Sequence, residues 1–307
     1  MILKPSSLTP LTALRFAEIL AEHLPPGVVN VLSGSGATIG DDLVLHPQVR
    51  MISLTGDTAT GRHIARLASD SVKRLHLELG GKAPVIVFDD ADVKMAAATI
   101  KEFGYWNCGQ DCAAAARVLA GPRVFDALVS ELIDQVETIA WGDPAEEPDL
   151  FMGSLISSSQ VDRVEGMVER ARDGAEVVSG GTRPERPGAF YPPTLIAAPD
   201  QESEIVQREV FGPVVTVQRF DDEDTALRWA NGVVYGLTAS VFTSDIGRAL
   251  RVSKALDYGT VWINEHYTLP SEMPFGGVKQ SGYGRDGSMY AIEDYTNIKH
   301  VMIRSGT

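Results

Sequence analysis

Cys112 and Glu78 are the two residues whose type and surroundings suit covalent chemistry. Cys112 lies in residues 107–114 (NCGQDCAA), where small residues follow it and leave room for a substrate. We predict that it stands at a helix N-terminus, where the helix dipole and free N–H groups stabilise a thiolate. The alternative is a buried, inert cysteine, which is common for an isolated cysteine.

Glu78 lies between two leucines at the end of an apolar segment, in residues 77–82 (LELGGK). A carboxyl group there is partly desolvated, so its pKa is expected to rise toward the range in which a general base works. The alternative is a glutamate on the solvated face of an edge strand, which has no chemical role.

Two glycine-containing turns follow predicted strands, at residues 33–36 (SGSG) and 56–61 (GDTATG). Such turns can present backbone N–H groups to a phosphate, but neither is the G-x-G-x-x-G fingerprint. The histidines show no metal-ligand spacing, and no G-x-S-x-G or P-loop motif occurs. We therefore expect no metal site, and we set aside serine hydrolases and NTPases.

Composition excludes several classes of protein. The 307 residues are 44% hydrophobic and 22% charged, which suffices for an ordinary core. The formal net charge of −14 disfavours nucleic acid and anionic membranes as partners. Two cysteines suggest a reducing compartment rather than a disulfide framework. With no signal-like or membrane-spanning segment read in the sequence, we expect a cytoplasmic protein.

Helix-like and strand-like segments alternate along the chain, which predicts an α/β fold with parallel pairing. Apolar periodicity predicts helices over residues 11–24 and 58–68, and a long helix capped by residues 89–92. The unit length changes near residue 80, where we place a domain boundary. The last segment, residues 298–304, is predicted to be a strand.

Six motifs occur in an order that resembles the aldehyde dehydrogenase superfamily. They comprise a ribose-binding segment, a nucleotide turn, a general-base motif, a nucleophile motif, a nicotinamide-ribose segment and a late loop. In that order they are residues 4–10 (KPSSLTP), 54–61 (LTGDTATG), 77–82 (LELGGK), 109–112 (GQDC), 209–213 (EVFGP) and 274–282 (PFGGVKQSG).

The resemblance implies an aldehyde dehydrogenase-like fold in which a partial Rossmann-type cofactor domain is joined to an α/β catalytic domain. Residues 1–80 are then part of the NAD(P)-binding domain, residues 81–287 the catalytic domain, and residues 288–307 a C-terminal oligomerisation strand. The family's chains carry roughly a further third before the segment that begins here at Met1. We therefore expect a truncated chain that forms a homo-oligomer, a dimer or tetramer, if the fold is complete.

The resemblance also implies a mechanism. The Cys112 thiolate attacks a small-molecule aldehyde to give a thiohemiacetal, hydride transfer to the cofactor leaves a thioester, and Glu78 activates the hydrolytic water. Lys4 and Glu209 would hold the two riboses of the cofactor. The other residues implied to bind the cofactor are Ser7, Gly56, Asp57, Thr58, Gly61 and Phe211.

Two of these residues bear on the choice of cofactor. NAD is expected, and Ser7 leaves NADP open because many NAD-preferring relatives carry a glutamate there that repels a 2′-phosphate. Asp57 stands where the family usually has a serine, and its charge beside a pyrophosphate would weaken binding.

Within the superfamily, residues 104–107, 271–274 and 293–296 most resemble γ-aminobutyraldehyde dehydrogenases. This implies an amino-aldehyde such as 4-aminobutanal as the substrate. Asp111 and the aromatic faces of Tyr105 and Trp106 are predicted to attract its ammonium group; the alternative for Asp111 is a solvated loop carboxylate.

Two other functions remain open at this point. The chain could be a weakly active or inactive homologue that acts as a binding or oligomer partner. It could also be a thiol esterase that uses Cys112 without a cofactor.

Overall fold

The structure is a computed structural model that describes residues 1–306. Two compact units are present. The first holds Met1–Ser53 and Ala59–Leu75, and the second holds Leu54–Thr58 and the described chain from His76 onward. None of the helices in residues 1–306 has the length and apolar character needed to cross a bilayer.

The first unit is built from short strands and helices that alternate along the chain. They are β1 (Ile2–Leu3), α1 (Leu11–His23), β2 (Asn30–Val31), a π-helical turn (Gly36–Gly40), α2 (Asp41–Leu45), β3 (Met51–Thr55), α3 (Thr58–Ser69) and β4 (Arg74–Glu78), the last three of which extend into the second unit. β1 and β2 pair in parallel, and the predicted helices at residues 11–24 and 58–68 are confirmed as α1 and α3.

The second unit contains the larger sheet and most of the helices. Its elements are β5 (Pro84–Val87), α4 (Val93–Tyr105), a 3-10 turn (Trp106–Gly109), β6 (Arg117–Ala120), α5 (Phe125–Glu137), α6 (Ser158–Ala171), β7 (Glu176–Ser179), β8 (Thr194–Ala197), α7 (Glu204–Gln207), β9 (Val214–Arg219), α8 (Glu223–Asn231), β10 (Tyr235–Gly236), β11 (Thr238–Phe242), α9 (Ile246–Ala255), β12 (Thr260–Ile263), β13 (Val278–Lys279), β14 (Gly282–Tyr283) and α10 (Ser288–Asp294).

Seven strands form one sheet in the order β12-β11-β5-β6-β9-β8-β7. All neighbouring pairs are parallel except β7 with β8. Alternate side chains of β5 enter two different cores: Val85 and Val87 pack with α4–α6, whereas Ile86 packs with α8 and α9. The sheet is therefore covered on both faces, which explains why its central strands are continuously apolar.

The start of α4 follows the prediction closely. Asp92 is the N-cap, and its carboxylate accepts hydrogen bonds from the backbone N–H groups of Lys94 and Met95. These bonds satisfy donors that have no partner within the helix. This cap fixes where the helix begins, and α4 then leads directly to the segment that carries Cys112.

A short antiparallel pairing brings the late glycine-rich loop to Glu78. Gly282 of β14 pairs with Glu78, and Tyr283 pairs with Leu77. Gly282 has a φ of +103°, and a Cβ there would lie 1.9 Å from the Leu77 carbonyl oxygen. Only glycine fits this close approach, which explains one of the glycines in the 274–282 motif.

Residues 298–304, predicted to be a strand of the C-terminal oligomerisation segment, are unpaired within the described chain, and that oligomerisation strand stays a prediction. This segment is irregular and follows α10 without pairing to any strand in the described chain. Its apolar side chains are exposed, with Ile298 91% and Ile303 85% accessible. A strand forms only where a partner ladder is available, and residues 1–306 provide none at this position.

Candidate active site

Glu78 and Cys112 lie side by side in the second unit. Glu78 ends β4 and is 4% exposed, and its carboxyl interacts with the Cys112 thiol through a side-chain hydrogen bond. Burial raises the pKa of Glu78 to about 7, against the lowering effect of the Cys112 bond, and the carboxylates of Asp286, Asp111 and Glu209 raise it further. Such a carboxyl can exchange a proton near neutral pH, as a general base must.

Cys112 is not at a helix N-terminus, which corrects the expectation drawn from its sequence. It lies in a turn between the 3-10 turn and β6, and the small residues after it lead into a strand. Burial raises the pKa of its thiol, and the carboxylates of Glu78 and Asp111 raise it further. No helix dipole offsets these effects, so the thiol is protonated at neutral pH and has a base beside it.

Two consecutive glycines allow three chain segments to meet at this site. A Cβ on Gly81 would lie 2.0 Å from the Cys112 carbonyl oxygen, and one on Gly80 would lie 2.5 Å from Oε2 of Glu209. Both distances are far inside van der Waals contact, so any side chain here would push the segments apart. The glycines of the 77–82 motif are thus required by packing around the nucleophile.

Asp111 is held on one side of Cys112 by two donors. The Tyr267 hydroxyl donates to Oδ2 at 2.6 Å, and the Ala113 N–H donates to Oδ1 at 2.7 Å. The Trp106 ring meets the Tyr267 ring edge-on, with centroids 5.7 Å apart, and Trp106 is 45% exposed. Asp111, Trp106 and Tyr267 together form an acidic and aromatic cluster, which we call the aromatic–acid cluster.

Tyr105 was predicted to contact the substrate, and the structure corrects this. Its side chain is fully buried in the core, and its hydroxyl donates to the Thr194 carbonyl at 2.9 Å. Because Tyr105 ends α4 on its inward face, it cannot present its ring to a ligand. Tyr267 holds the position in the cluster instead, and sequence reasoning missed it because nothing local marks the loop after β12 as folding back to Asp111.

Glu209 is a half-buried carboxylate on the other side of the site. Its Oε1 accepts the Gly81 N–H at 2.8 Å. Burial raises its pKa to about 7, although the Gly81 bond and the charges of Lys82 and Arg163 lower it, and Asp57 raises it. The structure therefore brings Glu209 to the same glycine pair that lies against Cys112.

Residues of α6 hold the segment that follows Glu209. Gln160 donates to the Phe211 carbonyl at 2.6 Å, and Arg163 donates to the Glu209 carbonyl at 2.6 Å. Phe211 has a left-handed φ of +52° and is 38% exposed. This arrangement turns the Phe211 ring out of the core and leaves it available to a ligand.

The turn after β3 is joined to Glu78 and to the late loop. The Gly56 N–H donates to the Glu78 carbonyl at 3.0 Å, and the Thr58 hydroxyl donates to the Gln280 carbonyl at 3.3 Å. Asp57 lies between them and acts electrostatically on Glu209. Gly56, Asp57 and Thr58 thus belong to the same unit as the two candidate catalytic residues.

Lys4, Ser7 and Gly61 belong to the first unit. The Lys4 ammonium donates to the carbonyls of Pro5 and Gly34, at 3.0 and 3.2 Å. Ser7 is exposed, and Gly61 is buried within α3. The bond to Gly34 ties the predicted ribose-binding segment to the turn at residues 33–36.

The fold and this site define a class, and comparison with known proteins agrees with it. The profile of the aldehyde dehydrogenase family matches residues 1–301, and the chain belongs to that family. A betaine aldehyde dehydrogenase of Cereibacter sphaeroides is 42% identical over 308 residues, covering 100% of this chain and 63% of the relative. The chain therefore spans less than two thirds of the length of that relative.

Solved structures give the same result. A betaine aldehyde dehydrogenase of Staphylococcus aureus, crystallised with NAD+, superposes with a TM-score of 0.92 at 41% identity, covering 96% of this chain and 59% of that one. Lactaldehyde dehydrogenase of Escherichia coli superposes with a TM-score of 0.94 at 38% identity, covering 96% and 62%. The predicted α/β aldehyde dehydrogenase fold is confirmed. These relatives are named for betaine aldehyde and lactaldehyde, so the resemblance to γ-aminobutyraldehyde dehydrogenases stays a prediction.

Proposed function

We propose that this chain takes part in the NAD(P)-dependent oxidation of an aldehyde to a carboxylic acid, with Cys112 as nucleophile and Glu78 as general base. The observation that carries the proposal is the direct pairing of a half-buried thiol with a buried carboxyl whose pKa is about 7. A cytoplasmic homo-oligomer is part of the same proposal, and both cysteines are free thiols, as a reducing compartment would keep them.

The residues of the chain support each step of that reaction. Glu78 takes the proton of the Cys112 thiol, and the sulfur attacks the aldehyde carbon to give a thiohemiacetal. A nicotinamide cofactor bound at this site would supply the hydride acceptor that turns the thiohemiacetal into a thioester on Cys112. Glu78 releases the thiol proton to solvent and then takes a proton from the water that hydrolyses the thioester. The backbone N–H of Cys112 is the proposed donor to the developing oxyanion.

Glu209 and the turn at residues 56–58 are the proposed cofactor residues of the second unit. With Oε1 bonded to the Gly81 N–H, Oε2 faces the bare Cα of Gly80, where a sugar hydroxyl can donate to it. Phe211, turned out of the core, offers an aromatic face beside it. We retain Lys4, Ser7 and Gly61 as proposed cofactor residues of the first unit, with NAD as the expected cofactor and NADP left open.

Replacing Glu78 by glutamine tests the proposed base. We expect Glu78→Gln to slow both the first release of NADH and later turnover by about 10²–10⁴-fold, the usual contribution of general base catalysis, because Glu78 takes the Cys112 proton as well as the proton of the hydrolytic water. In the unmodified protein, turnover should rise as pH passes through about 7, because Glu78 must lose its proton before it can act.

Rapid-mixing absorbance at 340 nm across pH 5.5–9 measures both effects. The rise of turnover with pH should be absent in Glu78→Gln. A first NADH release that keeps its rate in Glu78→Gln would show that Glu78 does not deprotonate Cys112, and a rise of turnover with pH that persists in this variant would remove Glu78 as the titrating group.

We propose an amino-aldehyde such as 4-aminobutanal as the substrate. The aromatic–acid cluster supports this choice, because Tyr267 contacts both the Asp111 carboxylate and the exposed Trp106 ring, and Asp111 directly precedes Cys112. A carboxylate and an aromatic face are the two groups that bind an ammonium ion well. Tyr267, whose hydroxyl orients Asp111, joins Trp106 and Asp111 as a proposed substrate residue.

Replacing Asp111 by asparagine tests this specificity. The amide keeps an acceptor for the Ala113 N–H but removes the charge, so we expect kcat/KM for 4-aminobutanal to fall about tenfold or more, the range of a charged hydrogen bond. Pentanal, which has the same chain length without the ammonium group, is the matched control and should change by less than about threefold. Equal losses for the two aldehydes would exclude Asp111 as the selective group.

A second function is favoured by one observation, the exposed apolar tail. Ile298, Val301, Met302 and Ile303 are all more than two thirds accessible. Contiguous exposed apolar groups mark surfaces that bind other chains. Light scattering tests this role, with a variant in which the apolar residues of 298–303 are made polar. If the unmodified chain forms no NADH but forms stable assemblies, and the variant loses those assemblies, then the binding or oligomer-partner role replaces the proposed enzymatic function.

A further inference from the structure

Two consecutive residues bond to both neighbours of Cys112. Nε2 of His266 lies 2.8 Å from the Ala113 carbonyl oxygen, and the Tyr267 hydroxyl lies 2.6 Å from Oδ2 of Asp111. The nucleophile is thus held between two anchors that come from a single loop after β12. The Tyr267 anchor belongs to the aromatic–acid cluster, whereas the His266 anchor has no role in the mechanism described above.

The partners of His266 define its tautomer. The Ala113 carbonyl can only accept, so Nε2 carries the proton and donates it. Nδ1 of the neutral ring must then accept, and the Ser240 hydroxyl at 2.6 Å is its donor. Burial lowers the pKa of His266 to about 4, although the Ala113 bond and the charges of Asp111 and Glu265 raise it. The imidazole therefore stays neutral, in one tautomer, across the ordinary pH range.

Ser240 connects this histidine to the rigid part of the molecule. It lies in the middle of β11, opposite Trp262 of β12 on one side and Val85 of β5 on the other. His266 is fully buried, and the Trp262 ring lies 4.9 Å from its own ring. The hydrogen bonds run from the central sheet through Ser240 and His266 to Ala113, the residue after Cys112.

We propose that His266 is a positioning residue, which fixes the Cys112 turn to strand β11 through the chain Ser240–His266–Ala113 and keeps the thiol facing Glu78. This inference rests on the proposed role of Cys112. An apolar core residue in place of His266 would leave the Ala113 carbonyl and the Ser240 hydroxyl without their partners. The turn would then lose the side-chain bond that connects the Ala113 carbonyl to β11.

The reactivity of Cys112 toward iodoacetamide tests the proposal without need of cofactor or turnover. All variants are made with Cys108→Ala, so that only Cys112 is labelled, and alkylation is followed from pH 6 to 10.5. In the starting protein the half-buried Cys112 thiol, beside Glu78, should react slowly and with a high pH midpoint. His266→Leu should release the turn, expose the sulfur, accelerate labelling at pH 7.5 at least fivefold and lower the midpoint by about one unit or more, toward that of a free thiol.

The conservative variant distinguishes positioning from mere packing. His266→Gln keeps an N–H donor that can reach Ala113, so its labelling rate should stay within about twofold of the starting protein. Ser240→Ala, a smaller change, should produce an intermediate shift by removing the bond that fixes the tautomer. Val241→Ala is the control for general destabilisation, since Val241 is buried on the opposite face of β11, and it should leave labelling unchanged.

The outcomes separate this inference from the proposed function. The positioning role is overturned if Cys112 in folded His266→Leu is labelled with the same rate and pH profile as in the starting protein. It is also overturned if the labelling of His266→Gln and Val241→Ala changes as much as that of His266→Leu. If His266→Leu does not fold, a Ser240→Ala variant whose labelling matches that of the starting protein overturns the positioning role. Absence of NADH formation in every variant, with the expected labelling order intact, would count against the proposed function alone.

Discussion

Replacing Cys112 by alanine is expected to abolish aldehyde-dependent NADH formation, with a fall of about 10⁴-fold or more, as is usual when a covalent nucleophile is removed. The reason is geometric as well as chemical. Of the two cysteines, Cys112 alone interacts with Glu78, and it lies where Asp111 and the Gly80–Gly81 pair converge. No other side chain in this cluster offers a thiol to the aldehyde.

Cys108 supplies the matched control, since it is only four residues away. Its side chain is buried, its thiol donates to the Ser154 carbonyl at 3.6 Å, and burial raises its pKa. It has a left-handed φ of +58°, which alanine tolerates about as well as cysteine does. Cys108→Ala should therefore leave both the structure and the chemistry at Cys112 unchanged.

Two measurements check the prediction. Absorbance at 340 nm reports turnover, and the number of iodoacetamide labels per native chain reports the accessible thiol even where turnover is absent. Cys112→Ala should lose the label, and Cys108→Ala should keep it. Turnover that survives in Cys112→Ala, or a label that is lost in Cys108→Ala instead, would show that Cys112 is not the nucleophile. The proposed reaction would then have no basis.

Replacing Gly81 by alanine is expected to lower both stability and rate, although it adds only one methyl group. The new Cβ would lie 2.0 Å from the Cys112 carbonyl oxygen, which is backbone and cannot rotate away. Overpacking of this kind costs about 1–3 kcal/mol of stability. Displacing the nucleophile by about 1 Å also costs about 10²-fold in rate, because the reacting atoms lose their alignment.

Gly174 is the control for this change. A Cβ there meets nothing within 4 Å and its backbone is not left-handed. The free energy of unfolding of Gly174→Ala in urea should therefore lie within about 0.5 kcal/mol of that of the unmodified chain. Gly81→Ala should have a lower free energy of unfolding and an altered iodoacetamide labelling of Cys112. A Gly81→Ala protein with unchanged stability and labelling would show that the two segments are not in the close contact described here.

Local features of the fold were predictable from the sequence because their causes are local. Asp92 caps α4 with its own side chain, and apolar spacing marks α1 and α3 within a single window. The strand predicted at residues 298–304 does not form within the described chain, since a strand depends on a partner that apolar spacing cannot supply. The expected helix after Cys112 failed because small residues suit a turn leading into β6 as well as a helix.

For the site, the amino-acid sequence by itself determined the chemical inventory: a cysteine and a glutamate in the order and context of the aldehyde dehydrogenase family, with glycines beside them. Only the tertiary structure decided how that inventory is held. Tyr267 reaches Asp111 across 156 residues, His266 reaches Ala113 across 153, and Glu209 reaches Gly81 across 128.

The same closure buried Tyr105 and raised the pKa of Glu78 to about 7. Short-range patterns report what a segment prefers by itself. Burial and electrostatics depend on which distant segments close around a side chain, and for this site that was settled by the packing of the loop after β12 and of residues 209–211 around the Cys112 turn.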